Sequence, residues 1–191
     1  MKLIITIDAE EDNWGVYSNP ATSSTSNVER IKTLQTVFNN YNIKPTYLVT
    51  WPVASNDFSV DILGNILGQG ECEIGSHCHP WNTPPLKEEM GAYNSMLCNL
   101  PSELQFDKLQ LLTDLIEHKF GARPVSFRAG RWGFSANIAQ HLVKLGYCVD
   151  SSITPYVDWT KYYGPDYSRI ELQPYWNDIN QLYNELSPDG L

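Results

Sequence analysis

The sequence predicts an α/β fold with a parallel sheet, either left open or curled into part of a barrel. Short apolar, β-branched segments alternate with longer amphipathic ones in the order β, α, β, α, β, α, β, α, β. Parallel strands joined by right-handed helical crossovers produce that order. The leading strand segment is also a near-continuous apolar run, as expected of a strand covered on both faces.

KLIITID, residues 2 to 8, is that first strand. After the polar loop NPATSSTSN the period becomes helical. Ser26 and Glu29 have capping-box spacing, and Ile31, Leu34, Val37, Phe38 and Tyr41 recur at three- and four-residue steps. PTYLVT, residues 45 to 50, is the second strand. Asp57 is placed to cap a helix carrying Ile62, Leu63, Ile66 and Leu67, closed by Gly68 and Gly70. ECEIGS forms a short third strand that runs into His77. A long Pro- and Asn-containing loop then leads to a second capping-box pair, Ser102 and Gln105. The helix it opens has Leu104, Leu111, Leu112, Leu115, Ile116 and Phe120 as its apolar face and ends at Gly121. PVSFRA, residues 124 to 129, is strand four; SANIAQHLVKLG is a helix capped by Ser135 and stopped by Gly146; YCVD is strand five. From Ser151 the rhythm fails in a Tyr-, Trp- and Pro-rich stretch with only a short helical segment near its end. The 191 residues suit one domain. With no final strand, either the barrel is open on this side or the sequence is cut short.

Composition narrows the function. Hydrophobic residues at 42% and charged residues at 18% are ordinary for a globular protein, and no membrane span is expected. A net charge of −9 argues against nucleic acid, which requires a concentrated basic surface. The 11 Tyr and 6 Trp suit a ligand with an apolar face and a hydroxyl edge, as a sugar has, or else fill the core. Cys72, Cys78, Cys98 and Cys148 form no CxxC pair and read as free thiols of a reducing compartment. The opening MKLIITIDAEED is too short in its apolar part for a secretory leader, so a cytoplasmic location is expected.

In parallel α/β folds the loops leaving the C-terminal strand ends share the rim where active sites form. Here that rim receives Asp8 and Glu10 after strand one and His77 and His79 after strand three. Strand four delivers Arg128, Arg131 and Trp132, and strand five Asp150. Residues two apart on extended backbone face the same way, so Asp8 can share a space with Glu10, and His77 with His79. Imidazole and carboxylate ligands with an open position suit a catalytic divalent metal such as zinc, which polarises a carbonyl while a spare carboxylate takes a proton. Each group also has an ordinary reading. Acids after a strand cap or solvate, loop histidines hydrogen-bond, and Arg128 can brace a structural acid. His118 and His141, on predicted helices, are surface or packing residues, and Cys78 points away from the histidines that flank it.

TIDAEED, EIGSHCHPW, FRAGRWG and LGYCVDSSI, in this order, resemble motifs one to four of the NodB-type polysaccharide deacetylases, carbohydrate esterase family 4. The DxE first motif and HPWxTPP second motif are similar to those of the WalW- or WbmS-like subgroup, associated with lipopolysaccharide and capsule biosynthesis. The resemblance implies a distorted, incomplete (β/α) barrel of fewer than eight repeats that removes an acetyl group from a sugar with one divalent metal. By it, Asp8 matches the catalytic base, Arg128 its brace, and Glu10 and His77 metal ligands, with His79 as the third. Trp81, Arg131, Trp132 and Asp150 become substrate-binding candidates. The sequence departs from the family at two places. Its motif-two histidines are two residues apart instead of four, and no histidine follows His141 to serve as the family's late general acid. A carbohydrate-binding or scaffolding protein of the same fold without turnover is therefore the alternative function. A metal-free glycosidase built on Asp8 would leave the histidines idle.

Overall fold

A computed structural model describes residues 3–13 and 22–172. Strands β1 (Thr6–Ala9), β2 (Thr46–Val49), β3 (Glu73–Cys78), β4 (Ser126–Ala129) and β5 (Val149–Asp150) form one parallel sheet in the order β1-β2-β3-β4-β5. Because each strand adds beside its predecessor, right-handed crossovers bring the helices to one face, as in part of a barrel. Those helices are α1 (Ile31–Asn40), α2 (Trp51–Ser55), α3 (Asp57–Gly68), α4 (Ser102–Phe120) and α5 (Ala136–Leu145). The fold is the α/β partial-barrel arrangement expected, with the sheet open. The short helical segment expected near the C-terminus lies outside the described residues.

The two faces of the sheet differ chemically. Ala9, Tyr47, Val49, Ile74, Phe127 and Ala129 face the helices and join the main core. The opposite face carries Thr6, Asp8, Thr46, Glu73, Ser126 and Arg128, placed there by the two-residue side-chain period. They satisfy one another: Thr46 Oγ1 and Ser126 Oγ donate to the two Glu73 oxygens at 3.1 and 2.5 Å, and Arg128 Nη2 donates to Thr6 Oγ1 at 2.6 Å.

Several local expectations are corrected. Strand one is not buried along its length: it begins at Thr6, and Leu3 and Ile4 are 73% and 82% exposed because β1 is a sheet edge. Ser26 makes no cap. Instead Asp12, from the loop after β1, accepts from Ser24 Oγ, Ser26 Oγ and the Asn27 amide at 2.5 to 2.8 Å. Asn56, rather than Asp57, caps α3, accepting from the Ser59 amide at 3.1 Å. Ser102 follows Pro101 at the start of α4 and shares a hydrogen bond with His141 Nε2 at 3.0 Å, while Gln105 donates to the Leu100 carbonyl, so no capping box forms. Ser135 does cap α5, and Gly121 and Gly146 end α4 and α5 in the left-handed region that lets a chain leave a helix. Val37, Tyr41 and Leu111 are exposed; the buried stripe of α1 runs through Ile31, Gln35 and Phe38, and α4 buries Leu109. The unexpected α2 starts at once after β2, with Pro52 in its first turn.

All four cysteines are free, and Cys78 lies buried on the helix side, its thiol against Thr83 Oγ1. His118 is exposed, whereas His141 packs edge-on against Phe106. No helix among the described residues is long and apolar enough to cross a membrane.

Candidate metal centre and cleft

His77 is the penultimate residue of β3, and its register partner on β4 is Arg128. This pairing brings His77 Nδ1 to 2.9 Å from the Arg128 carbonyl. A carbonyl only accepts, so Nδ1 carries the proton and Nε2 is directed elsewhere. Past Cys78, His79 projects to the same side, and the two rings meet edge to face at 4.5 Å. Both Nε2 atoms lie 2.8 Å from Glu10 Oε1. Glu10 reaches them because its loop is tied down: Asn27 Nδ2 holds its carbonyl at 3.0 Å, beside the Asp12 contacts on the same turn.

The electrostatics follow from this geometry. Burial pushes the Glu10 carboxyl up, but hydrogen bonds from His77 and His79 outweigh it and bring it down to about 2. Burial works against the charged His77 ring, yet the Glu10 bond and the charges of Asp8 and Glu10 raise it. His79 is lowered by burial and by the neighbouring charged His77. One carboxylate and two imidazoles with all three ligand atoms within 4.8 Å of one another can hold a metal ion. The donor set fits: two ring nitrogens aimed at one carboxylate oxygen both need protons there, and a dication replaces those protons, while the Arg128 carbonyl keeps His77 in the ligating tautomer.

Asp8 stands on the polar face of β1. Arg128 Nη1 donates to its Oδ1 at 2.7 Å while Nε and Nη2 are held by the Ser151 carbonyl and Thr6 Oγ1, so the whole guanidinium is fixed from three directions.

These groups lie in one cleft of about 360 Å³. Arg131 and Trp132 also line it, both in the left-handed region at φ 53° and 57°, a conformation that turns consecutive side chains of β4's exit loop into the site. Arg131 Nη1 donates to Ser95 Oγ. Trp132 stacks nearly parallel on Trp159, centroids 4.8 Å apart, and Trp159 and Tyr162 complete an aromatic wall.

The remaining candidates lie apart from the cleft. Trp81 is 2% exposed and packs against the His79 ring at 4.1 Å, so it supports the histidine from behind. Asp150 does not line the cleft; its oxygens accept from Ser152 Oγ and the Ser152 amide at 2.6 and 3.1 Å, and Ser152 Oγ in turn accepts from the Ala129 amide.

Sequence reasoning missed several participants. Glu11, buried beside Glu10, accepts from Asn82 Nδ2 at 2.8 Å and Thr50 Oγ1 at 3.2 Å, fastening the loop that carries His79. Lys108 is fully buried and donates to the Pro80, Thr83 and Pro85 carbonyls at 2.7 to 2.9 Å, with Glu88 2.9 Å away. Its signal was legible, since a lysine at the four-residue step among Leu104, Leu112 and Ile116 stands in an apolar stripe. Trp159 and Tyr162 had no such signal, because they follow the last strand in a stretch without periodicity. Gly130 is required by contact: a Cβ there would fall 2.6 Å from His79 Cε1 and 2.8 Å from the Cys78 carbonyl.

No family model matches this sequence, and no curated protein matches it. Solved structures do match in fold. A protein assigned as a polysaccharide deacetylase from Mycobacterium smegmatis aligns with TM-score 0.57 at 18% identity, over 78% of this chain and 50% of that one. A CE4 family pseudoenzyme from Bacillus anthracis gives TM-score 0.53 at 14%, over 83% and 45%. The chitin deacetylase of Colletotrichum lindemuthianum gives 0.51 at 16%, over 78% and 54%. The chain thus spans about half the length of these structures. Its fold is the one seen in carbohydrate esterase family 4.

Proposed function

We propose that this chain is a metal-dependent hydrolase that removes an acetyl group from an acetylated sugar. The observation that carries the reading is the convergence of Glu10, His77 and His79 beside an arginine-braced Asp8 in one aromatic-walled cleft. Glu10, His77 and His79 would hold one divalent ion, and zinc suits one oxygen and two nitrogen donors. When bound, such an ion supplies a Lewis acid for the acetyl carbonyl and lowers the pKa of water. Asp8 is the base. Arg128 occupies Oδ1, leaving Oδ2 to take the proton of the attacking water. Trp132, Trp159 and Tyr162 offer rings to a sugar face, and Arg131 offers donors to its oxygens.

The DxE and HPWxTPP motifs support a WalW- or WbmS-like setting, with a surface polysaccharide or its lipid- or nucleotide-linked precursor as substrate. Free cysteines agree with a reducing, cytoplasmic location. A second reading, a sugar-binding protein without turnover, is favoured by motif-two histidines that stand two residues apart instead of four. The pseudoenzyme among the matched structures agrees with that reading.

Metal content and acetate release from acetylated oligosaccharides, measured together, decide between the two. The expected outcome is one metal per chain, lost in His77→Ala, and acetate release lost in Asp8→Ala with metal retained. Sugar binding with neither metal nor acetate release would sink the hydrolase.

A further inference from the structure

His77 and His79 are fixed in different ways. His77 lies within the β3–β4 ladder and is locked by the Arg128 carbonyl, whereas β3 ends at Cys78 and His79 stands one residue beyond it. The place of His79 therefore depends on the turn that follows. In that turn the Asn82 and Thr83 amides donate to the His79 carbonyl at 3.4 and 3.1 Å, and Trp81 lies against the His79 ring. Thr83 Oγ1 donates to Asn82 Oδ1 at 3.2 Å, which directs the Asn82 Nδ2 end to Glu11 Oε1 at 2.8 Å.

Glu11 joins three strand exits. It follows the candidate ligand Glu10 on the loop after β1, and its Oε1 accepts from Asn82 in the turn after β3. Its Oε2 accepts at 3.2 Å from Thr50, the residue after β2, whose own amide donates to the Ala9 carbonyl at 3.2 Å. Glu11 is 1% exposed, and Thr50, Asn82 and Thr83 are fully buried. It does not line the cleft, so it acts on the site only through its neighbours. Both of its hydrogen-bond partners are neutral, and among the described residues no Lys, Arg or His forms an ion pair with it. A carboxylate buried without a cation is costly. Next to a group that binds a dication the cost is offset, because the ion supplies the opposite charge.

We infer that Glu11 is a positioning residue of the metal centre: it fixes the His79 turn against the Glu10 loop through Asn82 and Thr50, and its charge favours a dication at Glu10, His77 and His79. The inference rests on the metal-dependent reading and adds to it a carboxylate that lies outside the ligand set. It also gives a task to Asn82 within HPWNTPP and to the second glutamate of TIDAEED. The same side chain lowers the stability of the metal-free chain and raises that of the metal-bound one.

Glu11→Gln separates charge from shape, because the amide oxygen still accepts from Asn82 while its NH2 donates to Thr50 Oγ1. Zinc affinity by chelator competition and thermal melts of the metal-free chain are measured side by side. The expected result is a zinc affinity lowered roughly ten- to hundredfold, the range for partners that orient metal ligands, with the metal-free Tm unchanged or raised. Asn82→Ala keeps the charge but cuts the link to the His79 turn, and should lower the affinity as well. Unchanged affinity in either variant would overturn the inference. So would a metal-free Tm that falls in Glu11→Gln, since a merely structural residue behaves in that way. A wild-type chain that takes up no zinc would remove the metal reading and this inference with it. Zinc uptake by the wild type that is undiminished in Glu11→Gln would remove only the role of Glu11.

Discussion

Two neighbouring acids, Asp8 and Glu10, have been given different surroundings, and their chemistry divides accordingly. Glu10 sits between two imidazoles, whereas Asp8 is held by a guanidinium that is itself fixed by Thr6 and the Ser151 carbonyl. The lowered Glu10 carboxyl implies a sign for acid unfolding. A depressed folded-state pKa contributes stability above the unfolded value of 4.5 and loses it as pH falls through about 2. Metal-free protein should therefore lose stability between those values, and Glu10→Gln should flatten that limb; urea melts across this range check it. Gly130→Ala should displace His79, because the added methyl overlaps its ring. The expected result is an intact fold by circular dichroism with metal affinity lowered at least tenfold in a chelator competition. Unchanged affinity would show that His79 is not needed as a ligand.

At the scale of elements, the long loop after β3 is held by a helix that contributes nothing to the cleft. Lys108 of α4 places its ammonium among three backbone carbonyls and Glu88. A buried ion pair is weak evidence of net stability, but removing one partner strands the other charge and the acceptors. Lys108→Met should cost about 3–5 kcal/mol in chemical denaturation, against about 1 kcal/mol for removing the α3 cap with Asn56→Ala. Equal losses in the two variants would show that Lys108 is not a structural clamp. Caps were the least legible part of the sequence. Ser26 and Ser102 satisfy the capping pattern, but partners distant in sequence, Asp12 and His141, take their hydroxyls. Helix-ending glycines were legible because the left-handed region is a local requirement.

For the whole molecule, the metal reading has a thermodynamic consequence. A ligand that binds only the folded chain at a hundred times its Kd adds about 2.7 kcal/mol, a rise of roughly 5–11 °C in Tm for a chain of this size. Zinc should raise the Tm of the wild-type protein by that order and leave His77→Ala unmoved. The succession of strands and helices along the chain, the placement of Asp8, Glu10, His77, His79 and Arg128 at strand ends, and the direction of Cys78 followed from the sequence alone. Their reasons are local: the two-residue period of strands and the three- to four-residue period of helices are written in consecutive residues. Tertiary structure alone decided that Glu10 meets both histidines and that β3–β4 register sets the His77 tautomer. It also decided that Trp81 and Asp150 do not line the cleft while Trp159 and Tyr162 wall it. Those outcomes depend on how the crossovers and the aperiodic segment after β5 return over the sheet, which no local period encodes.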